Sequence, residues 1–215
     1  MWPSRPLGRG RLVRVVFARA ISRSVLRRHP TRPRDLSLPR IFPRLQAMRV
    51  LGIDCGSEHT GYGVVELDPS GKLHCIAVGA IHATARAPIA DRLNKIFQGL
   101  QTVIERNRPE EVAIEDVFFA VNVKSALKLG HVRGVAMLAA SCAGLAVAEY
   151  APLSIKSAVV GYGRAHKEQV QHMITRLLNL SVPPDSPDAA DALAIAICHL
   201  HTSASRRRQQ AAASR

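Results

Sequence analysis

Between residues 48 and 203, hydrophobic positions recur with two different periods. Short apolar runs bounded by turn residues are typical of buried strands, whereas apolar residues that return every three or four positions predict helices. The expected strands lie at 49–55, 61–67, 73–83, 110–116 and 146–150, and the expected helices at about 89–106, about 122–143, a short stretch from Pro152, 167–180 and 188–201.

The order of these elements predicts the fold class. Three adjacent strands come first, and helices then alternate with strands. Such an order indicates one α/β domain whose mixed five-stranded sheet is flanked by helices.

The formal net charge of +14 lies in the two ends of the chain. Residues 1–47 hold 12 arginines and one acid, and residues 206–215 add four arginines and no acid. The part between them, 48–205, has a net charge of −1, so the overall basicity says little about what the folded part binds. We expect a disordered Arg- and Pro-rich extension over 1–47, a folded domain over 48–203 and a basic disordered tail over 204–215.

Two features bear on location in the cell. Four cysteines without a CxxC motif fit reduced thiols in a cytoplasmic protein better than a disulfide framework or a zinc site. No apolar run reaches the roughly 18 residues that a membrane span needs. The Arg-rich start also resembles an organelle transit peptide, whereas a translation start at Met48 would remove it.

Four acidic residues stand where buried chain is expected. Asp54 ends the first strand in "VLGIDCG", and Glu115 ends the apolar run "VAIE". Asp188 and Asp191, three residues apart in "SPDAADALAIAI", share one face at the start of an apolar helix. Taken singly, each has a structural explanation, because Asp188 fits a helix cap and Asp54 fits a turn.

Taken together, these acids indicate a metal site. Strand ends at one edge of an α/β sheet are where such folds build sites, and a last helix packed across that edge would bring the four carboxylates together. Carboxylates repel one another unless a cation lies among them, and oxygen ligands alone favour Mg²⁺ or Mn²⁺. Two such ions are the usual device for hydrolysing a phosphodiester. Glycines at 56, 61 and 63 are expected to let a phosphate backbone approach closely.

Four stretches between about Arg49 and His201 match one known family in order and spacing. They are "LGIDCGSEHTGYGVVE", "AIEDVFFAVNVKSALKLGHVRGVA", "EYAPLSIKSAVVGYGRAHKEQVQHMI" and "PDAADALAIAICH". The chain resembles the RuvC family of crossover (Holliday) junction endodeoxyribonucleases. The resemblance implies an RNase H-like fold, a homodimer, and symmetric paired nicks across a four-way DNA junction that leave 5′-phosphate and 3′-hydroxyl ends. It also implies two Mg²⁺ ions per active site and the RuvA and RuvB branch-migration complex as a partner.

The resemblance also implies roles for single residues. The family's four catalytic, metal-binding acids fall on Asp54, Glu115, Asp188 and Asp191. Phe118 matches an aromatic residue that stacks on bases near the crossover, although on sequence alone a core position is as reasonable.

Basic residues that contact the scissile strand in the family match Lys156 and Lys167. Arg133 is a further candidate for DNA binding. It lies with Lys128 on a helix rich in small residues, where the resemblance also expects the dimer interface, and the sequence does not separate these two roles.

The chain departs from the family pattern at two positions. Cys55 follows the first Asp where proline is common, and its side chain should point away from Asp54. Val121 replaces a commonly basic residue, which would weaken a DNA contact.

Three other functions compete with junction resolution. Sugar kinases and actin-like ATPases share the opening "GID" motif, but they need two such domains and a second phosphate loop. The nucleases that process pre-ribosomal RNA share the fold and are closer rivals. A catalytically silent junction-binding module is the third alternative, and the presence of all four acids counts against it.

Overall fold

The computed structural model describes residues 47–116 and 123–213. Its single sheet has the strand order β3-β2-β1-β4-β5. The first three strands pair antiparallel, and β4 and β5 add to β1 in parallel, so the expected mixed sheet is confirmed. The strands are β1 Met48–Asp54, β2 His59–Leu67, β3 Leu73–His82, β4 Glu111–Glu115 and β5 Ala146–Tyr150.

In the described part of the chain, five helices cover the two faces of the sheet. Side chains of α1 and α2 pack on one face, and side chains of α3, α4 and α5 pack on the other. None of the helices that the structure describes combines the length and the apolar character that a membrane span requires. The helices are α1 Ile89–Asn107, α2 Val123–Cys142, α3 Pro152–Val160, α4 Lys167–Leu177 and α5 Pro187–Ala213.

Strand alternation distributes the residues of β1 between two hydrophobic cores. Val50 packs with the α3–α5 layer, whereas Leu51 and Ile53 pack with α1 and α2. All three are fully buried. The alternation continues to the strand end, which places Asp54 on the α5 side and Cys55 on the opposite side, as expected.

The last helix is longer than the sequence pattern predicts. Its apolar middle is buried against the sheet, and the apolar periodicity ends near His201. The helix nevertheless continues to Ala213, because the following residues are mostly Ala, Arg, Gln and Ser without Gly or Pro. Residues 204–213 therefore extend α5, where a disordered tail was expected, while the placement of domain boundaries stays a prediction.

Glycines on β1 and β2 let α5 approach the sheet closely. A Cβ at Gly52 would lie 2.1 Å from the carbonyl oxygen of Ala192, and one at Gly63 would lie 2.8 Å from Leu193. Gly61 meets α5 in the same way. The expectation that these glycines leave room for a phosphate is therefore wrong for 61 and 63, because helix backbone and side chain occupy that space. At Gly56 the space is also filled, since a Cβ there would lie 2.0 Å from the carbonyl oxygen of His59.

Candidate active site

Two of the predicted acids lie side by side at the carboxyl end of the sheet. β1 and β4 run parallel with Ile53 opposite Ile114, so Asp54 and Glu115 follow on neighbouring strands. On β4, Ile114 packs with the α1–α2 layer and Ala113 with the α3–α5 layer. By this alternation the side chain of Glu115, like that of Asp54, is directed to the α5 side.

The first turn of α5 supplies the other two acids. Asp188 is the second residue of the helix, and Asp191 follows three residues later on the same face. Ser186 caps the helix, since its hydroxyl accepts the backbone N–H of Ala189 at 3.1 Å. The capping role that Asp188 alone would fit is thus filled by another residue.

Burial and neighbouring negative charges raise the pKa values of two of these carboxyl groups, Asp54 and Glu115. Burial raises the pKa of Asp54 to about 7, and the negative charges of Asp191, Glu115 and Asp188 add to the increase, while Lys167 opposes it. Burial also raises the pKa of Glu115, with Asp191 adding to the shift. The structure thus brings the other three acids within electrostatic reach of Asp54, at a cost that a bound cation would relieve.

Two lysines face this group of acids. The ammonium of Lys167, at the start of α4, donates a hydrogen bond to Asp191 at 2.7 Å, and this bond raises the pKa of the lysine. Lys156 on α3 lies close enough to lower the pKa of Glu115. In this structure Lys167 is therefore the direct counter-ion of one of the four carboxylates.

A pocket of about 230 Å³ opens beside the acids. Its polar wall is formed by Glu115, Asp191, Lys156 and Lys167. The remaining lining residues are apolar and come from α3, α4 and α5: Pro152, Ile155, Val170, Ala194 and Ile195. The pocket therefore joins negative oxygens that suit a cation to ammonium groups that suit a phosphate.

The donor set fits hard divalent cations, although the side chains are not yet placed around one. Within residues 47–116 and 123–213, no three His, Cys, Asp or Glu side chains are arranged to share an ion. The grouped acids offer only carboxylate oxygens, the ligands that Mg²⁺ and Mn²⁺ favour. The ammonium of Lys167 occupies Oδ2 of Asp191, which is one of the two carboxylate oxygens that could bind an ion.

The family model for crossover junction endodeoxyribonuclease RuvC matches residues 50–199. The chain belongs to the RuvC family. The RuvC protein of Koribacter versatilis is 65% identical over 166 residues, which cover 77% of this chain and 100% of that relative. The RuvC protein of Acidobacterium capsulatum is 55% identical over 161 residues, or 72% of this chain and 94% of the relative.

Solved RuvC structures share the fold. Thermus thermophilus RuvC superimposes with a TM-score of 0.68 at 36% identity, covering 73% of this chain and 96% of that one. The same protein in complex with a Holliday junction substrate gives a TM-score of 0.70, with 73% and 94% covered. The expected RNase H-like fold is thereby confirmed.

Arg133, a predicted DNA contact, has its partners inside the chain. Its guanidinium donates hydrogen bonds to the carbonyl oxygen of Glu115 and to the carboxylate of Glu149, and it lies 3.7 Å from the carboxylate of Asp116. Lys128, on the same helix, is exposed. The two RuvC-family candidates on α2 therefore have different surroundings.

Two predictions lie outside the described residues. Phe118, the expected base-stacking residue, and Val121, the departure from the RuvC pattern, both fall between 117 and 122. Their expected roles stay predictions.

Arg92 is a residue that the sequence pattern did not single out. It is 6% exposed on α1, and its guanidinium donates to the carbonyl oxygen of Ser57, three residues after Asp54. Arg92 lies four residues before the buried Ile96, on the stripe that faces the sheet. The signal for its role is present in the sequence, because an arginine on the apolar stripe of a helix is expected to be buried, and a buried guanidinium requires polar partners.

Proposed function

We propose that this protein is a structure-selective endonuclease that resolves four-way (Holliday) junctions in recombination and repair by symmetric paired nicks. The observation that carries the proposal is the gathering of Asp54, Glu115, Asp188 and Asp191 at the carboxyl end of the sheet, in a member of the RuvC family. Partly buried carboxylates whose pKa values are raised by burial and by neighbouring negative charges are expected at functional positions.

The chemistry requires both a nucleophile and a stabilised leaving oxygen. Two Mg²⁺ ions, or two Mn²⁺ ions in their place, would supply an activated water and a Lewis acid for the departing 3′ oxygen. The products would carry 5′-phosphate and 3′-hydroxyl ends. The role of the protein is to hold the four carboxylate side chains in position around the ions. Asp54 and Glu115 are fixed by the ladder between β1 and β4, while Asp188 and Asp191 are fixed by the seat of α5 on the sheet.

Positioning of the DNA strand falls to the basic side of the site. Lys156 and Lys167 line the same pocket as Glu115 and Asp191, so a phosphate bound by the ammonium groups would lie next to the carboxylates. Charge-assisted contacts of this kind set the register of a strand without reading its bases. Phe118 is proposed to stack on bases at the crossover, so Phe118→Ala should slow cleavage far more than it weakens binding.

Paired nicks require two active sites, and α2 offers a surface for a second copy of this chain. Leu127 and Leu138 are 60% and 54% exposed on this helix. A Cβ at Gly130 or Gly134 would meet no atom within 4 Å, so two such helices could approach closely. The proposed assembly is a homodimer through α2.

Two further assignments come from the family. The RuvA and RuvB branch-migration complex is the proposed partner, and the cytoplasm is the proposed location. The four cysteines Cys55, Cys75, Cys142 and Cys198 are free thiols in the structure.

One experiment tests the proposed function. The purified protein is incubated with a labelled synthetic four-way junction, with a linear duplex of the same sequence, and with an RNA of matched length, first with Mg²⁺ and then with EDTA. We expect symmetric nicks in the junction alone, dependent on Mg²⁺, with products that ligase reseals. Selective cutting of the RNA would favour the RNA-processing rival, and tight junction binding without nicks in Mg²⁺ or Mn²⁺ would favour a silent binding module.

A further inference from the structure

The guanidinium of Arg133 holds the end of the strand that carries Glu115. One of its terminal nitrogens donates to the backbone carbonyl of Glu115, and the other donates to the Glu149 carboxylate. The second nitrogen also lies 3.7 Å from Asp116. A single side chain of α2 therefore ties together β4, β5 and the residue that follows β4.

These contacts are made where β4 leaves the sheet. Glu115 is its last residue, and the backbone N–H of Asp116 donates to the carbonyl of Tyr150 at 2.8 Å. Beyond this point no sheet ladder fixes the described chain. Arg133 and the bond to Tyr150 thus fix the backbone of Glu115, and therefore the point from which its side chain extends into the site.

The surroundings of Arg133 differ from those of a DNA-binding residue. Its side chain is 14% exposed and faces two carboxylates, whereas the side chain of Lys167 is 50% exposed beside the pocket. A phosphate that bound Arg133 would compete with the Glu149 carboxylate, and a displaced carboxylate would then lie next to the phosphate. Repulsion between the two anions makes that exchange unfavourable.

The surroundings also differ from those of a dimer contact. Leu127 and Leu138, on the same helix, expose more than half of their surface, while Arg133 reaches inward to the strand ends. Arginine suits this inward task, because its planar fork donates in two directions at once.

We propose that Arg133 is a positioning residue of the active site, which fixes the end of β4 so that Glu115 is held ready to bind a divalent ion. The inference rests on the proposed function and deepens it. It assigns Arg133 to the support of a metal ligand in place of the DNA contact expected from the sequence.

Arg49 provides a matched control at the other end of the same sheet. Its guanidinium donates to the Glu66 carboxylate at 2.6 Å and to the backbone carbonyl of Asn107 at 2.5 Å. It therefore makes the same two kinds of contact as Arg133, but near the start of β1, five residues before Asp54. Arg49→Met removes a comparable structural tie and leaves the site untouched.

The test compares Arg133→Met, Arg133→Lys and Arg49→Met with the unaltered protein. Mn²⁺ binding is titrated calorimetrically without DNA, and junction affinity is measured in EDTA. We expect Arg133→Met to weaken Mn²⁺ binding about tenfold, a typical loss for a residue that supports a metal ligand. Junction affinity in EDTA should change less than twofold, and Arg49→Met should leave both quantities unchanged. Arg133→Lys should recover part of the Mn²⁺ affinity, because one ammonium replaces one of the two donors.

Two results would overturn the proposal. Unchanged Mn²⁺ affinity in Arg133→Met with weaker junction binding in EDTA would restore the DNA contact, and equal losses of Mn²⁺ affinity in Arg133→Met and Arg49→Met would leave only a structural role. If Arg133→Met fails to fold, the comparison is made between Arg133→Lys and Arg49→Met. Weaker Mn²⁺ binding by Arg133→Lys than by Arg49→Met would support the proposal, and equal Mn²⁺ affinities would overturn it. Failure of the proposed function would give a different result, because the unaltered protein would then bind Mn²⁺ but not cut the junction.

Discussion

Gly61 of β2 lies directly against the backbone of Asp188 in α5. A Cβ at position 61 would lie 2.0 Å from the carbonyl oxygen of Asp188 and 3.1 Å from the nitrogen of Ala189. Gly61 is also the partner of Asp54 in the β1–β2 ladder. The absence of one side chain thus brings the helix that carries two acids onto the strand pair that carries a third.

Replacing this glycine should displace α5. We expect Gly61→Ala to destabilise the fold by about 1–3 kcal/mol, the usual cost of overpacking, and to lower cleavage by more than tenfold because Asp188 and Asp191 move together. Urea unfolding and junction cleavage measure the two effects. Glu105→Ala, at an exposed position of α1, is the control for stability and should change it by less than about 0.5 kcal/mol. Full cleavage by Gly61→Ala would show that the site tolerates movement of the helix.

Removal of the Asp54 charge should abolish cleavage and yet stabilise the metal-free protein. The pKa of Asp54 is raised from 3.8 to about 7, so the folded protein binds more protons than the unfolded chain between these values. Stability is therefore lost as the pH rises through this window and stays low above it. Asp54→Asn should be the more stable protein at pH 8 in EDTA, by at most about 4 kcal/mol, and the difference should vanish near pH 4.

Urea unfolding in EDTA across this pH range measures the stability effect, and junction binding in EDTA serves as the control, because Asp54→Asn should retain it. A stability difference of the same size at pH 4 and pH 8 would contradict the electrostatic origin. Substantial nicking by Asp54→Asn in Mg²⁺ would contradict its role as a metal ligand.

Loss of Lys167 should have opposite effects on metal binding and on catalysis. The ammonium holds Asp191 at 2.7 Å and adds positive charge beside the other acids. Lys167→Met should therefore raise the affinity for Mg²⁺ severalfold in the absence of DNA, while cleavage falls because a phosphate contact is lost. Calorimetric titration with Mg²⁺ and single-turnover cleavage measure the two effects. Lys95→Met, on the exposed side of α1, should change neither. Weaker Mg²⁺ binding by Lys167→Met would mean that the lysine organises the carboxylates instead of competing for them.

The exposed leucines of α2 should determine the oligomeric state. Leu138→Glu places a charge in the proposed interface, next to the same charge of the second copy, and should convert the dimer to a monomer. Light scattering coupled to size-exclusion chromatography measures the mass. Leu153→Glu, at a leucine 64% exposed on α3, is the control and should leave the mass unchanged. A monomeric unaltered protein, or a dimeric Leu138→Glu, would place the interface elsewhere.

Much of this architecture follows from local patterns in the sequence. Alternation alone directs Asp54 to one side of the sheet and Cys55 to the other, and helical spacing places Asp188 and Asp191 on one face. Both relationships depend only on residues close in the chain, so a single sequence contains them. The RuvC motifs then relate segments that are far apart.

Relationships between distant side chains could not be read in the same way. The sequence predicts that the glycines at 61 and 63 leave space for a phosphate backbone, whereas they face α5, which begins more than 120 residues later. The sequence predicts a DNA contact for Arg133, because the charge of this residue is visible in the sequence and its partners are not. A carboxylate at Glu149 and a backbone carbonyl at Glu115 become its neighbours only when β4, β5 and α2 pack together.

The sheet lies between two helical layers, and each layer contributes to the site. α5 brings Asp188 and Asp191 from one side, whereas Arg92 and Arg133 reach the strand ends from α1 and α2 on the other. Neither half of the chain contains the whole arrangement. A nascent polypeptide therefore lacks two of the four proposed metal ligands until α5 has emerged from the ribosome and docked on the sheet.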